Sequence, residues 1–342
     1  MSSGAREFRC SYCGAPLDVG PDSVVVVCRY CGKPNFVADD VKAGEVLAVP
    51  AIKGDEAARR ALEAARRRLQ LRFRLKRAVF GDPDLYYVPY YFVDLSLRAH
   101  YSARVLVTYT RTVYVGREAR TEVVTREVSV AGDLDYRKVV PVLARRGVEG
   151  VATAELAERY LSTRPQAKRL DEIELSYRTS KAFLAAEFGG ERAKAVALRE
   201  AVEGLLEAVD RDAADRARRR VGHIAASANV LDRTVDFDVE KAEVSHLTYL
   251  PAWVVPYVYD GAQYAMALSG WDGSLLALTE PVFLEERAGA LTAAAVAAGI
   301  LGGIGGAVLP ASYAVGLALI AAGALAGYYA ARGATKSVEV KR

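Results

Sequence analysis

The chain has 342 residues, 46 Lys plus Arg against 42 Asp plus Glu, a formal net charge of +4, three histidines and four cysteines. So even a balance excludes an unspecific nucleic-acid sponge, which needs a broad surplus of positive charge. The length suffices for one large domain or two small ones with a proper core.

Residues 1–9 are polar and charged, with no apolar stretch of the kind a secretory leader needs. All four cysteines then fall in two knuckles, Cys10-Ser11-Tyr12-Cys13-Gly14 and Cys28-Arg29-Tyr30-Cys31-Gly32, fourteen residues apart. Two residues between thiolates let both sulfurs reach one tetrahedral ion at ~2.3 Å. Gly14 and Gly32 supply the permissive backbone each knuckle needs. The expectation is a zinc ribbon over residues 1–40, with Cys10, Cys13, Cys28 and Cys31 holding one structural Zn2+. Two disulfides, a redox dithiol and an iron–sulfur cluster are the alternatives. Reduced thiols in a cytoplasmic setting and the paired-knuckle spacing favour zinc. Four thiolates close the site, which points to folding rather than catalysis.

Residues 41–84 read as a linker and a basic amphipathic helix. From Arg59 to Arg77 there are nine basic residues against the single acid Glu63, with Asp55 as N-cap and Leu62, Leu69 and Phe73 on one face. Its basic side is a solvated face, a lipid-docking surface or a nucleic-acid contact.

Residues 85–286 read as an α+β body. Aromatic and β-branched residues open a strand region at 85–94, and 102–116 with 121–130 alternate as a hairpin around Gly116-Arg117-Glu118-Ala119. Helices are expected at 153–160, 168–188 and 192–220, the last with a basic end suited to its dipole. Strands return at 233–239 and 244–259, and Asp260-Gly261 and Asp272-Gly273 mark the turns of a three-strand antiparallel meander.

Residues 288–331 contain no Asp, Glu, Lys, Arg or His over 44 positions, about twice the ~20 residues one bilayer crossing needs. Leu309-Pro310-Ala311-Ser312 divides the stretch, so residues 287–332 are expected to form a two-helix transmembrane hairpin. Arg287 on one side and Arg332, Lys336, Lys341 and Arg342 on the other place both ends in the cytoplasm, with 333–342 as a basic cytoplasmic tail. The protein would then sit in the cell membrane as a multi-pass chain, with the lipid bilayer as a partner. Gly299 with Gly303 and Gly323 with Gly327, each four apart, suit close helix packing or a homo-oligomer.

Tyr87-Val88-Pro89-Tyr90-Tyr91 and Tyr249-Leu250-Pro251-Ala252-Trp253 form a short repeat, and the two units are expected to share a sheet. With the ribbon, the basic helix, Gly261-Ala262-Gln263-Tyr264 and Ser269-Gly270-Trp271-Asp272-Gly273, the order resembles prokaryotic zinc-ribbon membrane proteins of unassigned function. These are sometimes labelled as relatives of transcription-factor-B-type ribbons or primosomal proteins. Trp271 and Asp272 stand where that family more often has polar residues. The resemblance implies an architecture and supplies no activity.

An enzyme finds little support. His100, His223 and His246 stand apart in the sequence, and no P-loop, H-E-x-x-H or G-x-S-x-G occurs. The sequence therefore points to a membrane-anchored, non-enzymatic adaptor or scaffold with an unknown protein partner. The alternative is a membrane-tethered nucleic-acid binder using the ribbon and the Arg59 to Arg77 helix. Abundant Arg and Glu with few Met, Cys and His suggests an archaeal or thermophilic origin.

Overall fold

A computed structural model describes residues 8–20, 22–37, 46–67, 78–115, 118–148, 150–173, 183–222, 227–259, 261–279 and part of 292–325. In chain order the elements are β1 (Val25–Val27), β2 (Pro34–Phe36), β3 (Val46–Ala48), α1 (Gly54–Arg67), β4 (Val79–Phe80), β5 (Asp84–Val115) and β6 (Glu118–Leu143). They continue as α2 (Thr153–Thr163), β7 (Lys168–Arg169), a 3-10 turn (Leu170–Glu172), α3 (Gly190–Val221), β8 (Ser227–Val244), β9 (Leu247–Tyr259), β10 (Ala262–Ser269) and β11 (Leu275–Leu278). The described residues fall into two compact units. The first lies within Met1–Ala51, Leu85–Glu149 and Ala157–Pro251, the second within Ile52–Asp84, Gly150–Leu156 and Ala252–Arg342.

The first unit is organised by a three-stranded ribbon with β5 at its centre, β6 on one side and β8 on the other, both antiparallel. Val93, Leu95, Leu97, Ala99, Tyr101, Ala103, Val105 and Val107 of β5 are all buried, while Arg98, His100, Ser102 and Arg104 between them are exposed. This period of two gives the ribbon one apolar and one wet face. On the wet face, cross-strand pairs such as Arg98 with Asp135 at 3.0 Å and Arg104 with Asp232 at 3.2 Å lie between strands. Two β-bulges, at Ser96/Leu97 and Arg104/Val105 of the β5–β8 pairing, add twist.

Helix α3 covers the apolar face, lying against β6 and β8. Its buried residues Ala193, Ala197, Ala201, Leu205, Val209, Ala213 and Ala217 recur every four positions. On a helix of 3.6 residues per turn each such step drifts by about 40°, so the stripe winds around the axis. The covering surface must coil with it, as a long twisted ribbon does. Alanine lets the sheet come close, and Gly204 goes further: a Cβ there would collide with Tyr136. Tyr101 donates to Asp212 at 2.5 Å, and Arg216 donates to the same carboxylate at 2.7 Å, fixing the helix along the ribbon. Burial and that bond push the Tyr101 phenol up to about 12. The helix ends at Gly222, left-handed at φ 79°, whose N–H reaches the Arg218 and Arg219 carbonyls.

The two copies of the Y-x-P repeat meet in this unit. Tyr87 stacks on Phe183 at 4.3 Å, and Tyr249 approaches the same ring edge-on at 5.2 Å. Tyr249 is fully buried, and its hydroxyl has no hydrogen-bond partner among the described residues. Burial drives its pKa well above the usual phenol range. An unsatisfied buried hydroxyl costs free energy, whereas a ring of the same shape without it does not. Tyr249→Phe is therefore expected to raise stability by about 1 kcal/mol in a denaturant melt; a loss of stability would reveal a partner for that hydroxyl.

The second unit contains the meander. From Ala252 onward β9 pairs antiparallel with β10, and β10 with β11. The turn before β11 needs Gly273, at φ 65°, where a Cβ would approach the Arg60 side chain to 2.7 Å. Helix α1 buries Ala57, Ala61 and Ala65, while Arg59, Arg60, Arg66 and Arg67 are exposed. The expected stripe was Leu62, Leu69 and Phe73. Leu62 is only half-buried, and Leu69 and Phe73 lie outside the described residues, as does the rest of the basic run from 68 to 77.

The structure corrects the expected fold class in three respects. Among the described residues sheet dominates, with few helices, and the sheet is mixed: β3, from the segment expected as a linker, pairs in parallel with the start of β9, Val46 opposite Leu247. Parallel pairing joins segments far apart in sequence, so nothing local announces it. The helix expected at 168–188 is also absent from its described part, where Lys168–Arg169 is a strand paired with β3, Leu170–Glu172 a 3-10 turn and 183–188 non-helical.

The third correction concerns the membrane. Among the described residues no helix is long and apolar enough to cross a bilayer. The expected transmembrane hairpin, the lipid-bilayer partner and the multi-pass cell-membrane location with cytoplasmic ends are corrected on that finding. The physical reason is that an uncharged run need not be strongly apolar: more than half of residues 288–331 are Ala or Gly, which have little side chain to transfer into hydrocarbon. The Pro310 turn, Gly327 and the tail 333–342 lie outside the described residues.

Candidate metal centre

The two knuckles have the same backbone. In the first, the Cys10 N–H reaches the Ala15 carbonyl at 2.8 Å and the Gly14 N–H the Cys10 carbonyl at 2.9 Å. In the second, Cys28 bonds Lys33 at 2.9 Å and Gly32 bonds Cys28 at 2.8 Å. Gly14 and Gly32 sit at φ 72° and 67°, the left-handed region in which a side chain is strained. Antiparallel β1 and β2 then close the second knuckle into a hairpin.

This geometry brings the four sulfurs of Cys10, Cys13, Cys28 and Cys31 within 4.8 Å of one another. Cys10 and Cys31 are 3.6 Å apart and Cys13 and Cys28 3.7 Å apart. A tetrahedron with ~2.3 Å metal–sulfur bonds has edges of about 3.8 Å. The four cysteines could therefore hold a metal ion, and every ligand expected from the sequence belongs to the same cluster.

The surroundings treat the sulfurs unequally. Burial acts to raise the Cys10 thiol, but bonds from the Cys13 and Tyr12 amides, Asn35 and Cys31 bring it down to about 6. Burial pushes Cys31 up to about 12, with the other sulfurs adding to the shift. At Cys13 the Ala15 amide pulls downward, but desolvation and the Cys10 and Cys28 sulfurs carry the thiol upward. Four thiolates this close repel one another, and a bound cation is what allows all of them to ionise.

Asn35 was not singled out in the sequence, and it organises the site. Buried beside the cluster, it donates to the Cys10 sulfur at 3.5 Å and to the Lys33 carbonyl at 3.0 Å, and accepts from the Ser11 N–H at 2.9 Å. It ties the two knuckles together, as outer-shell partners of metal ligands do. The one available signal was an amide side chain three residues after the second knuckle glycine.

No family model, curated protein or solved structure matches this chain. The reading of the site therefore rests on its own residues.

The cluster is tied to the body of the first unit. Val24 donates to the Ala186 carbonyl at 2.7 Å, Ala186 donates back to Val25 at 3.0 Å, and Arg146 meets Asp22 at 3.1 Å. Val25 and Val27 belong to the same buried core as β5 and α3. On the solvent side, the third residue of each knuckle is an exposed tyrosine, Tyr12 at 66% and Tyr30 at 58%, and the Arg29 guanidinium lies 5.2 Å from the Tyr30 ring. The two described histidines do not converge on the cluster. His100 pairs with Asp133 at 2.6 Å on the wet face of the ribbon, His246 follows β8, and His223 lies outside the described residues.

Proposed function

We propose that the chain is a non-enzymatic protein-interaction adaptor whose four-cysteine ribbon holds one structural Zn2+ and presents the knuckle surface to a protein partner. The observation that carries the reading is the closed set of four sulfurs with a tyrosine exposed at each knuckle. Four ligands leave no open position for a substrate, so the ion would serve folding. Exposed tyrosines beside an arginine are the residue types that dominate protein contacts. Zinc suits the two paired C-x-x-C-G knuckles because their four sulfurs lie together at separations close to the edge of one tetrahedral thiolate site.

The test has two parts. Metal analysis of the purified full chain should give one zinc per chain; iron, or no metal, overturns the zinc reading. Capture of partners should then be compared between the native chain and Tyr12→Ala/Tyr30→Ala, with and without nuclease. Loss of a protein partner in the double variant, insensitive to nuclease, supports the adaptor. Capture that disappears with nuclease favours the competing reading, in which the exposed arginines of α1 and the knuckle tyrosines contact nucleic acid.

A further inference from the structure

Asn35 spends the whole hydrogen-bonding capacity of its amide on the two knuckles. Its Oδ1 accepts from the Ser11 N–H at 2.9 Å and from the Ser11 hydroxyl at 3.1 Å. Its Nδ2 donates to the Lys33 carbonyl at 3.0 Å and to the Cys10 sulfur at 3.5 Å. Two acceptor and two donor positions are all that a side-chain amide has. The backbone partners decide which end is which, because the Ser11 N–H can only donate and the Lys33 carbonyl can only accept. A turned-over amide would lose both bonds and set its oxygen against the sulfur. Aspartate has the same shape without the donor, and leucine has neither donor nor acceptor.

The strand that carries Asn35 accounts for its aim. Along β2 successive side chains point to opposite faces. Phe36 packs against the core of the first unit, while Asn35, only 5% exposed, turns to the cysteines.

The sulfurs differ in what surrounds them. Cys10 is buried, and its sulfur receives the Tyr12 and Cys13 amides as well as Asn35. Cys13 is exposed, and beside the other sulfurs it receives the Ala15 amide. Donors on a thiolate take up part of its charge and hold its orientation, so such a sulfur is a weaker nucleophile and a better-fixed ligand. Cys13 is also the sulfur that solvent reaches.

We infer that Asn35 is the positioning residue that sets how fast the ribbon exchanges its metal ion, given the metal reading above: it makes Cys10 the last sulfur to let go, so that exchange opens at Cys13. The amide acts through the Cys10 sulfur. By spanning from Ser11 of the first knuckle to Lys33 of the second, it also keeps the knuckles together while Cys13 swings out.

The Zn2+-loaded full chain, challenged with excess EDTA in the presence of iodoacetamide, tests this. Mass spectrometry reads the order in which the four cysteines are alkylated, alongside the rate of zinc loss. In the native chain Cys13 should be alkylated first and Cys10 last. In Asn35→Asp and Asn35→Leu zinc loss should speed up by about 10–100-fold, and Cys10 should move forward in the order. Loading with Co2+ adds a readout that loosened packing alone does not move. The sulfur-to-cobalt charge-transfer band should shift to lower energy in Asn35→Leu, because the Cys10 thiolate loses a donor and becomes richer in electrons. Native alkylation that begins at Cys10, variants that lose zinc at the native rate, or faster loss with an unchanged order and an unchanged band would each overturn the inference while leaving the metal reading in place. Should a variant fail to load, the native order of alkylation decides alone. A native chain that takes up neither zinc nor cobalt overturns both.

Discussion

Cys28→Ser is expected to abolish stoichiometric metal binding and to destabilise the first unit well beyond residues 1–40. Cys28 is buried at the back of the cluster, and serine supplies no thiolate at neutral pH. Structural zinc in small ribbons contributes about 10–16 kcal/mol of binding energy that is also folding energy, comparable with the whole 5–15 kcal/mol stability of a typical domain. The damage should spread because β1 is hydrogen-bonded to Ala186 and because Val25 and Val27 pack in the core with β5 and α3. Metal content, thermal melting and limited proteolysis read the result together. A variant that keeps one metal per chain, or that melts as the native does, refutes the assignment. The pH dependence has a fixed sign: Cys13 and Cys31 hold their protons more tightly than free thiols, so metal binding releases protons and affinity falls as pH falls.

The second large effect lies in the winding stripe of α3. Leu205 is fully buried at its centre, among Ala201, Val209 and the ribbon. Leu205→Ala should cost about 2–5 kcal/mol, because the rigid ribbon on the other side cannot collapse into the space. Ala201→Leu should also destabilise, by about 1–3 kcal/mol, since the close approach of helix to sheet has no room for three added carbons. Leu231→Ala, on a half-exposed bulge residue of β8, serves as the control and should lie within about 0.5 kcal/mol of native. Equal losses at Leu205 and Leu231 in equilibrium denaturation would contradict the packing described for α3.

Several features were legible in the chain because they are local. The cysteine spacing and following glycines dictate both knuckles, and the sulfurs meet where that spacing requires. The alternation at 102–116 and 121–130 marks a real hairpin, and Asp260-Gly261 and Asp272-Gly273 mark real turns. The hairpin is longer than its clearest alternation, because Gly132 and the charged residues from 133 to 138 blur the pattern while backbone pairing continues unbroken. The long helix was also visible, although its buried face was not. Alanine carries little hydropathy signal, and a four-residue repeat smears around the helix axis.

What only the tertiary structure decided is non-local. The parallel pairing of β3 with β9, the seating of Tyr87 and Tyr249 on one phenylalanine, and the anchoring of β1 on Ala186 join segments far apart in the chain, 66 residues in the nearest case and 201 in the farthest. No periodicity records such meetings, since loop closure costs entropy that only the completed core repays. The uncharged run at 288–331 misled for the opposite reason. Lack of charge is visible in sequence, but crossing a bilayer requires a continuous helix with enough apolar side chain, and composition alone does not supply one. The local chemistry of the knuckle backbone and the cysteine spacing thus determined the four-sulfur cluster, while long-range packing decided the sheet that carries it.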